Sequence, residues 1–322
     1  MSSYSKSWKD LSLHPLQSEE WSRVYPDSLR LIVGNVPYMI RLSSNPLTRA
    51  PFALLLKPSG AQLEQETLEK LTSELAAKVP KLSHVIVEPH STNDLSWLDS
   101  YPLSPSIARY TVVNGLELPV EELLAACSKS HRQNIRKARS RGFTSSVSSA
   151  GDDAIDRFIA VMESIQTSKS FIQFGMDHYR RVWQLMSESN KAAIVIGEFE
   201  GKDIGAYMFV HAHGTAYQLY GGRNETGRSE RLAQALAFDA MVAAKDLGCR
   251  QYDMWGIGAF DSNGALDTTD EKYGIGQFKS AFGGVKTVYS EPKVIVLSKL
   301  NYRLFLLGKR LRNRITWIRK KL

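Results

Sequence analysis

The stretch that most constrains the fold of this chain covers residues 251–289. It opens with a short strand pattern at residues 251–255, and a long loop rich in Gly, Asp and Asn follows. An amphipathic helical turn at residues 273–282 comes next, and the pair Gly283-Gly284 separates it from a last strand. Because long loops inside a compact domain tend to carry function, we expect a binding or catalytic site in this stretch.

A single lysine stands in that helical turn. Lys279 lies between Phe278 and Phe282 in the sequence, and a lysine with apolar neighbours can be held beside a developing negative charge in a partly dry site. Lys279 and Phe278 are therefore candidate catalytic residues. The alternative is that the two phenylalanines, four residues apart, are core anchors and that Lys279 is a solvated neighbour.

The order of predicted elements indicates the fold class. In the second half of the chain a strand is followed by two helices, three antiparallel strands, a helix, a strand, a helix and a strand, which is the order of the GNAT acyltransferase fold. The first half shows the same order with less at its start, and one long helix is expected over residues 118–140. We therefore predict an α/β protein with mixed sheets, built from two tandem GNAT-like domains that cover residues 1–125 and 126–290.

Five motifs occur in order along nearly the whole chain. They are HPLQS at 14–18 with Trp21, HRQNIRKARSRGF at 131–143, YQLYGGRN at 217–224, YDMWGI at 252–257 and QFKSAFGG at 277–284. Together they resemble the Fem family of tRNA-dependent peptidoglycan bridge aminoacyltransferases, in its shorter type without a helical arm. Two positions depart from the family pattern, because Tyr25, with Arg23 nearby, stands where a lysine is frequent and Arg223-Asn224 replaces a Ser-Ser pair.

The resemblance implies a domain arrangement, a reaction and a donor. The C-terminal segment 291–322 would complete the first domain. An amine of the peptidoglycan stem peptide would attack the ester carbonyl of an aminoacyl-tRNA and form an amide, with no other cofactor. Because the ester is already activated, the protein supplies positioning and charge stabilisation rather than a covalent nucleophile.

The resemblance also implies the site residues. Lys279 would face the oxyanion, and Glu88, which stands before Pro89 at a strand end, would contact the acceptor or its amine. The implied substrate-binding residues are Arg23, Tyr220, Arg223, Tyr252 and Asp253.

Structural roles compete with these functional ones. Glu88 could instead be a strand-end carboxylate in water. Asp253 lies inside a strand, so burial with hydrogen bonds is the more favoured interpretation for its carboxylate. Tyr220 is a candidate for lining the cleft, whereas Tyr217 is expected to pack.

Positive charge is concentrated in two places. The formal net charge is +8, and ten Lys or Arg with no Asp or Glu follow Glu291, so the rest of the chain nets 8 − 10 = −2. A second cluster, residues 129–141, holds six Lys or Arg and no acid. Such clusters suit phosphate-bearing partners such as tRNA, nucleotide-linked precursors or anionic lipid, the alternative being a solvated helix face. The candidate tRNA- or anion-binding residues are Arg132, Arg136, Lys137 and Arg139.

The C-terminal segment 300–322 has the pattern of an amphipathic helix. Its apolar positions are Leu300, Leu304, Leu307, Leu311, Ile315 and Ile318, and its basic positions include Arg303, Arg310, Arg314 and Lys321. Such a helix could dock on the first domain or lie on an anionic membrane surface, with Phe305 and Trp317 at the interface. We predict docking up to about Gly308 and a mobile basic end beyond it.

Other features exclude several classes of protein. Cys127 and Cys249 make no disulfide framework and fit a reducing compartment. The N-terminus lacks the apolar core of a signal peptide, and no apolar run approaches the ~20 residues of a membrane span. We therefore expect a cytoplasmic protein, with peripheral contact to the inner face of the membrane as the variant. The seven histidines show no metal-ligand spacing, so we expect no metal.

Two other functions compete with tRNA-dependent transfer. The first is an acyl-CoA-dependent N-acetyltransferase, which would need a Gly-rich turn whose backbone N–H groups bind the pyrophosphate. The corresponding turn here, GGRNETGRSERLA, has its Arg and Gly one residue too far apart and Arg228 in place of a small residue. The second is a non-catalytic protein that binds RNA or a membrane surface through the basic tail.

Overall fold

The computed structural model describes residues 14–45, 49–91, 94–103, 106–166 and 174–319, with the backbone alone for residues 166 and 310–319. The chain separates into two compact units. Unit 1 comprises Met1–Arg109 and Tyr289–Leu322, and unit 2 comprises Tyr110–Val288. The predicted boundary after residue 125 therefore lies earlier, between Arg109 and Tyr110.

In chain order, the helices and strands of unit 1 come first, those of unit 2 follow, and two more elements return to unit 1. Up to residue 109 they are α1 (Glu19–Ser22), β1 (Ser28–Val33), β2 (Val36–Ser44), β3 (Pro51–Leu56), α2 (Gln65–Lys78), β4 (His84–Glu88) and β5 (Asp99–Ser100). From residue 110 to residue 288 they are β6 (Tyr110–Gly115), α3 (Val120–Ala126), α4 (Lys129–Ser140), β7 (Thr144–Ser148), α5 (Asp152–Gln166), α6 (Met176–Ser187), β8 (Ala192–Phe199), β9 (Lys202–Ala212), β10 (Thr215–Arg223), α7 (Glu225–Ser229), α8 (Ala233–Asp246), β11 (Gln251–Asp253), α9 (Tyr273–Ser280) and β12 (Val285–Val288). The last two are β13 (Lys293–Val296) and α10 (Lys299–Arg319).

Unit 1 is built on a mixed sheet with the strand order β1-β2-β3-β4-β13-β5. Strands β1 to β3 are antiparallel, β3 and β4 are parallel, and β13 from the C-terminal segment pairs antiparallel with β4. Helix α2 forms the crossover between the parallel strands. It buries Leu68, Leu71 and Leu75, whose helical spacing places them on one face against the sheet.

Unit 2 is built on a second mixed sheet with the order β12-β6-β11-β10-β9-β8-β7. Strands β7 to β10 form an antiparallel meander, and β11 pairs parallel with β10 after the α8 crossover. Helix α8 is apolar nearly all round and lies in the centre of the core, with Leu236 and Phe238 fully buried. The predicted α/β class with mixed sheets is confirmed.

The predicted single helix over residues 118–140 is wrong. The structure has two helices, α3 and α4, because the backbone is extended at Cys127 and Ser128. Ser128 caps the second helix, where its hydroxyl accepts the N–H of His131 at 3.3 Å. A serine cap inside an apparently continuous helical pattern was the sequence signal for this break.

The boundary between the two units lies earlier than predicted because β6 belongs to the second sheet. This strand pairs with β11 and with β12, both of which lie far along the chain, so local pattern could not assign it. At the other end of the chain, α10 runs through Gly308 without a break and ends at Arg319. The helix is continuous at Gly308, and the contacts with unit 1 given by Tyr302, Phe305 and Leu306 lie before it, whereas the side chains from 310 onward, Trp317 among them, lie outside the described residues. The division of the tail into a docked half and a mobile half stays a prediction.

Candidate active site in the second unit

The site begins where two parallel strands part. Strands β10 and β11 pair from Thr215↔Gln251 to Tyr217↔Asp253, and no further. Strand β10 continues past that point, pairing with β9 as far as Arg223, with an irregularity between Tyr217 and Tyr220. The end of β10 and the segment that follows Asp253 are therefore free of each other's backbone, which leaves room for side chains between them.

A glycine keeps the end of β10 close to β9. Gly221 has a φ of +137°, and a Cβ at this position would lie 2.3 Å from the carbonyl oxygen of Ala206. No side chain fits there without moving the backbone. The Gly221-Gly222 pair of the YQLYGGRN motif is thus required by packing between these two strands.

The ammonium of Lys279 lies at the start of the segment after β11. Its Nζ donates to the carbonyl oxygens of Met254 at 2.6 Å, Trp255 at 2.8 Å and Gly256 at 3.2 Å. Burial lowers the pKa of Lys279 to about 8, and the charge of Asp253 opposes that shift. Lys279 is therefore not the solvated neighbour of the alternative interpretation. Each of its three N–H groups has a carbonyl acceptor.

The segment that Lys279 holds has an unusual backbone. Trp255 has a φ of +58°, a left-handed conformation that costs energy for a bulky residue. Two groups hold it there. The carboxylate of Asp253 accepts the N–H of Trp255 at 2.7 Å and the hydroxyl of Thr111, and Lys279 binds the Trp255 carbonyl. Strain that neighbouring groups hold in place is typical of functional sites.

Helix α9, which carries Lys279, is fixed by the basic helix α4. The ring of His131 contacts Phe278 and Phe282 with centroid distances of 5.4 and 4.7 Å, and its Nε2 lies 3.0 Å from the Phe278 carbonyl oxygen. Burial lowers the pKa of His131, so we assign a neutral ring with the proton on Nε2. Sequence reasoning missed this role, because the two partners are 147 residues apart.

The turn after α9 needs glycine for a related reason. Gly283 has a φ of +84°, and a Cβ there would lie 2.5 Å from the Ala126 carbonyl oxygen at the end of α3. Asn114 on β6 donates from Nδ2 to the Phe282 carbonyl at 3.0 Å. The QFKSAFGG motif is thus anchored on both sides of its second phenylalanine.

Three predicted site residues lie on α9 and at the end of β10. Phe278 is half-buried, and the Arg223 guanidinium lies 5.8 Å from the centre of its ring. Tyr220 is half-buried, and its hydroxyl is 2.8 Å from Nε2 of His178. The structure therefore brings Arg223 to Phe278, next to Lys279 in the chain, and gives Tyr220 a histidine partner that the sequence did not suggest.

Two predicted substrate contacts need correction. Tyr252 has no exposed surface, and its hydroxyl donates to Oε1 of Gln218 at 2.9 Å inside the core. Asp253 is also buried and serves the backbone of Trp255, as the structural interpretation had favoured. Both belong to the frame of the site, because neither side chain reaches a surface that a substrate could touch.

Glu88 is held by hydrogen bonds within unit 1. Its Oε1 accepts the N–H and the hydroxyl of Ser106 at 2.7 and 2.6 Å, and its Oε2 accepts the N–H of Ile107 at 2.9 Å. The carboxylate is buried, so it is not the strand-end group in water that the sequence left open. These three bonds give the carboxylate a structural role within unit 1, and the catalytic role expected for Glu88 stays a prediction.

Arg23 in unit 1 lies on the surface. It makes an ion pair with Glu19 at 3.2 Å, and Glu19 also pairs with Arg30. Tyr25, at the position where the Fem pattern favours lysine, has the guanidinium of Arg41 at 4.0 Å from its ring centre. Arg23 remains a prediction as a substrate contact.

A buried lysine in unit 1 was missed. Lys57 is 1% exposed and has a φ of +55°. Its Nζ donates to the Ala108 carbonyl at 2.6 Å and lies 4.1 Å from the centre of the Tyr289 ring. Burial is the main cause that lowers the pKa of His14 and of His90, and the charge of Lys57 adds to it. The sequence offers no signal for Lys57, which reads as an ordinary strand-end lysine.

The basic helix α4 divides into used and available cations. Arg132 donates from Nη1 to the carbonyls of Ala125, at 3.1 Å, and Cys127, and so caps the end of α3. Arg139 pairs with Asp239 at 2.8 Å. Arg136 and Lys137 are exposed and have no ion-pair partner within the part of the chain that the structure describes.

The turn after β10 bears on the donor. Several of its backbone N–H groups are engaged within the turn: Gly227 donates to Oδ1 of Asn224 at 3.1 Å, Arg228 to the Asn224 carbonyl and Leu232 to the Gly227 carbonyl. A Cβ on Gly227 would lie 2.5 Å from the Ile204 carbonyl, so the turn lies flat on β9. These groups are not presented to a pyrophosphate.

Among the described residues there is neither a candidate metal site nor a helix suited to span a membrane. No group of three or more His, Cys, Asp or Glu among them could hold a metal ion. Within the same residues, no helix combines the length and the apolarity needed to cross a bilayer.

The comparisons with known proteins agree with this architecture. Residues 127–266 match the model of the acetyltransferase (GNAT) domain, and no curated protein matches the sequence. The second unit thus has the fold of an acyltransferase of the GNAT class.

Similarity to solved structures extends over both units. The structure is similar to that of FemX with a TM-score of 0.74 at 14% identity, covering 90% of this chain and 94% of that one. It is also similar to L-PGS from Bacillus licheniformis, with a TM-score of 0.58, 15% identity and 90% of each chain covered. The C-terminal domain of a protein described as a lysylphosphatidylglycerol synthetase from Agrobacterium fabrum gives 0.58, 14% and 92% of each chain. The chain has the Fem-like tandem GNAT fold, as its motifs predicted.

Proposed function

We propose that this protein is a tRNA-dependent aminoacyltransferase that transfers an amino acid to an amine of the peptidoglycan stem peptide. The observation that carries the proposal is the position of Lys279. In a Fem-like fold, its ammonium is held by three carbonyls at the point where β10 and β11 part. Two of the five motifs that resemble the Fem family, YDMWGI and QFKSAFGG, meet there.

The reaction needs a positive charge rather than a nucleophile. The acceptor nitrogen attacks the ester carbonyl carbon, a C–N bond forms, and the bond from that carbon to the tRNA ribose oxygen breaks. The proton lost by the amine ends on the departing ribose hydroxyl. Between these events the carbonyl oxygen carries a negative charge, which a nearby ammonium stabilises.

Lys279 can supply this charge in two ways. Its pKa of about 8 leaves the ammonium protonated at neutral pH, so its field acts on the oxyanion even while all three N–H groups are bonded. The bond to the Gly256 carbonyl is the longest of the three, at 3.2 Å, and is the one expected to yield to a substrate oxygen. Arg223 and Tyr220, both half-buried near the end of β10, are the proposed substrate contacts beside it.

The proposed donor is aminoacyl-tRNA, with no further cofactor. The engaged N–H groups of the turn at 224–232 support a donor other than acyl-CoA. The exposed Arg136 and Lys137 on α4 suit the phosphate groups of an RNA backbone. The proposed acceptor is a nucleotide-linked or lipid-linked precursor, used in the cytoplasm or at the inner membrane face.

An acyl-CoA-dependent N-acetyltransferase is the second candidate. The match of residues 127–266 to the acetyltransferase (GNAT) domain favours it. A non-catalytic RNA- or membrane-binding protein is the third, but it gives no account of the strained, lysine-bound segment at Met254–Gly256.

The test compares donors with the full-length protein. Radiolabelled amino acids on a mixed charged tRNA pool, and separately labelled acetyl-CoA, are offered with a nucleotide-linked stem peptide and with its lipid-linked form. We expect label to move from tRNA to at least one acceptor, and to move far less with Lys279→Ala. Transfer from acetyl-CoA alone would establish the second candidate, and no transfer from either donor would overturn the proposal.

A further inference from the structure

Helix α10 packs on unit 1 through one side only. Phe305 is buried, with its ring centroid 5.0 Å from that of Phe52 and 4.5 Å from that of His84. Tyr302 and Leu306 pack into the same small cluster. These three residues, Tyr302, Phe305 and Leu306, define the docked face of α10.

The side of α10 that faces away from the docked face carries leucines. Leu300, Leu304 and Leu307 are 69%, 38% and 54% exposed. Their spacing of four and three residues puts them in one line on the helix, and the helical period puts that line opposite the docked face. We call these three residues the leucine stripe. The sequence left open whether this apolar line docks on the first domain or lies on a membrane surface, and the structure shows that it is not the docked side.

The stripe is more than scattered surface apolarity. Single exposed leucines are normal in soluble proteins, but adjacent ones in line on a helix form a continuous apolar surface. In the sequence the same spacing continues at Leu311, Ile315 and Ile318. An apolar face of this kind is favoured in water only if something covers it.

Positive charge lies directly beside the stripe. Lys299 and Arg303 are exposed, and neither has an ion-pair partner among the residues for which side chains are described. After Glu291 the sequence contains ten Lys or Arg and no Asp or Glu. The occupant of this face should therefore offer negative charge at its surface and apolar groups just below it.

We propose that the leucine stripe of α10 inserts into the surface of an anionic lipid bilayer, with Lys299 and Arg303 among the headgroups. An anionic bilayer is the partner that presents both chemistries to a helix lying in its plane. A second copy of the chain fits less well, since a two-fold contact along the stripe would bring the same cations together. RNA would satisfy the cations but leave the leucines in water. This inference concerns a different face from the transfer site and does not depend on the proposed function.

The experiment measures sedimentation of the full-length protein with vesicles. One set holds one part phosphatidylglycerol to two parts phosphatidylcholine, and the other phosphatidylcholine alone. The variant is the triple change Leu300→Gln, Leu304→Gln and Leu307→Gln, which keeps good helix-forming residues on an exposed face. The matched control places glutamine at three apolar residues exposed elsewhere, Ile32, Leu247 and Val285.

We expect binding to the anionic vesicles that weakens with salt, little binding to phosphatidylcholine, and a loss of about tenfold or more in the stripe variant but not in the control. Absence of binding to anionic vesicles by the wild-type protein at low salt would overturn the inference. Equal binding by the stripe variant would also overturn it, because charge alone would then suffice. A dimer in sedimentation velocity that only the stripe variant disrupts would assign the face to a second copy instead.

Discussion

The two units share a strand–helix–strand crossover but differ in what surrounds the end of its parallel strands. In each, a strand is followed by a crossover helix and by a second strand parallel to the first, as β3, α2 and β4 in unit 1 and as β10, α8 and β11 in unit 2. In each unit, a lysine near the end of the parallel strand pair donates from Nζ to backbone carbonyl oxygen, Lys57 in unit 1 and Lys279 in unit 2. The difference between them lies in what surrounds each lysine.

In unit 1 the end of the parallel pair is packed. The buried carboxylate of Glu88 binds Ser106 and Ile107, and Lys57 lies under the ring of Tyr289. The cavity that these groups line has a volume of about 10 Å³, which is the space of one water. The space is small, and the charges beside it hold loops of unit 1 together.

In unit 2 the corresponding strands separate after Asp253, and the backbone at Trp255, two residues further on, is strained. Trp255 and Gly256 keep part of their surface exposed, and the lysine that binds them comes from a distant helix instead of from the strand itself. The comparison teaches that a buried lysine with carbonyl partners is not a catalytic signal on its own. What distinguishes Lys279 is that two of its carbonyl partners, Trp255 and Gly256, are half-buried and that the backbone at Trp255 is strained.

The largest expected effect separates the two lysines. Lys279→Ala should reduce transfer about 100-fold or more, because it removes the positive charge closest to the developing oxyanion. Lys57→Met should leave transfer per folded molecule unchanged. Initial rates with charged tRNA, normalised to the folded fraction from circular dichroism, make the comparison. An equal loss in both variants would mean that Lys279, like Lys57, only holds its loop.

The second effect is on stability and tests the packed end of unit 1. Glu88→Gln should lower the free energy of unfolding by about 1–3 kcal/mol, since an amide cannot accept all three bonds and presents N–H groups to donors. Denaturant titration measures it, with Glu66→Gln as the exposed control that should change little. A Glu88→Gln protein of full stability with no transfer would support the catalytic role expected for Glu88.

Sequence reasoning located the fold and the central lysine because both depend on local pattern. Strand and helix order, the Gly283-Gly284 turn and the motif around Lys279 can all be found within short windows. Partnerships across long sequence distances could not be found in this way. The assignment of β6 to the second sheet, the contact of His131 with Phe278 and the docked side of α10 depend on such pairings.

Burial was the other limit of sequence reasoning. Lys57 follows β3 and Glu88 is the last residue of β4, positions at which charged side chains are commonly exposed. Only the packing of the loop at 106–108 shows that both are buried. Tyr252 and Asp253 were expected to face a substrate because the motif that contains them, YDMWGI, resembles one of the Fem family. Alternation along a three-residue strand gives too little pattern to decide which side chains face the core.

The third expected effect is on the pH dependence of transfer and tests the charge of Lys279 in unit 2. Because burial lowers the pKa of Lys279 to about 8, transfer that depends on its charge should fall as pH rises through about 8, up to about tenfold per pH unit above it. Lys279→Arg, which stays charged, is the control and should lose activity evenly at all pH values without this fall. Rates corrected for ester hydrolysis give the profile, and a wild-type profile parallel to that of the arginine variant would exclude a role for this ionisation.

The same titration should affect stability, with a sign that can be checked. The folded pKa of Lys279 lies below its ordinary value of 10.5, so the unfolded chain binds more protons between the two values. The free energy of unfolding should therefore rise with pH from about 8 to about 10.5, relative to Lys279→Met. A difference between the two proteins that is independent of pH would show that Lys279 stays fully charged in the fold.

The smallest expected effect divides the basic helix of unit 2 into two pairs. Arg132 and Arg139 are used within the protein, by the end of α3 and by Asp239, whereas Arg136 and Lys137 are exposed and have no ion-pair partner among the described residues. Arg136→Gln with Lys137→Gln should weaken tRNA binding several-fold and reduce the slope of log affinity against log salt by about 1 for each phosphate that the variant no longer neutralises. Arg139→Gln should lower stability slightly and leave the slope unchanged. Filter binding over a range of salt concentrations measures both, and an unchanged slope in the double variant would make α4 a solvated face whose contribution to the site is the contact of His131 with Phe278.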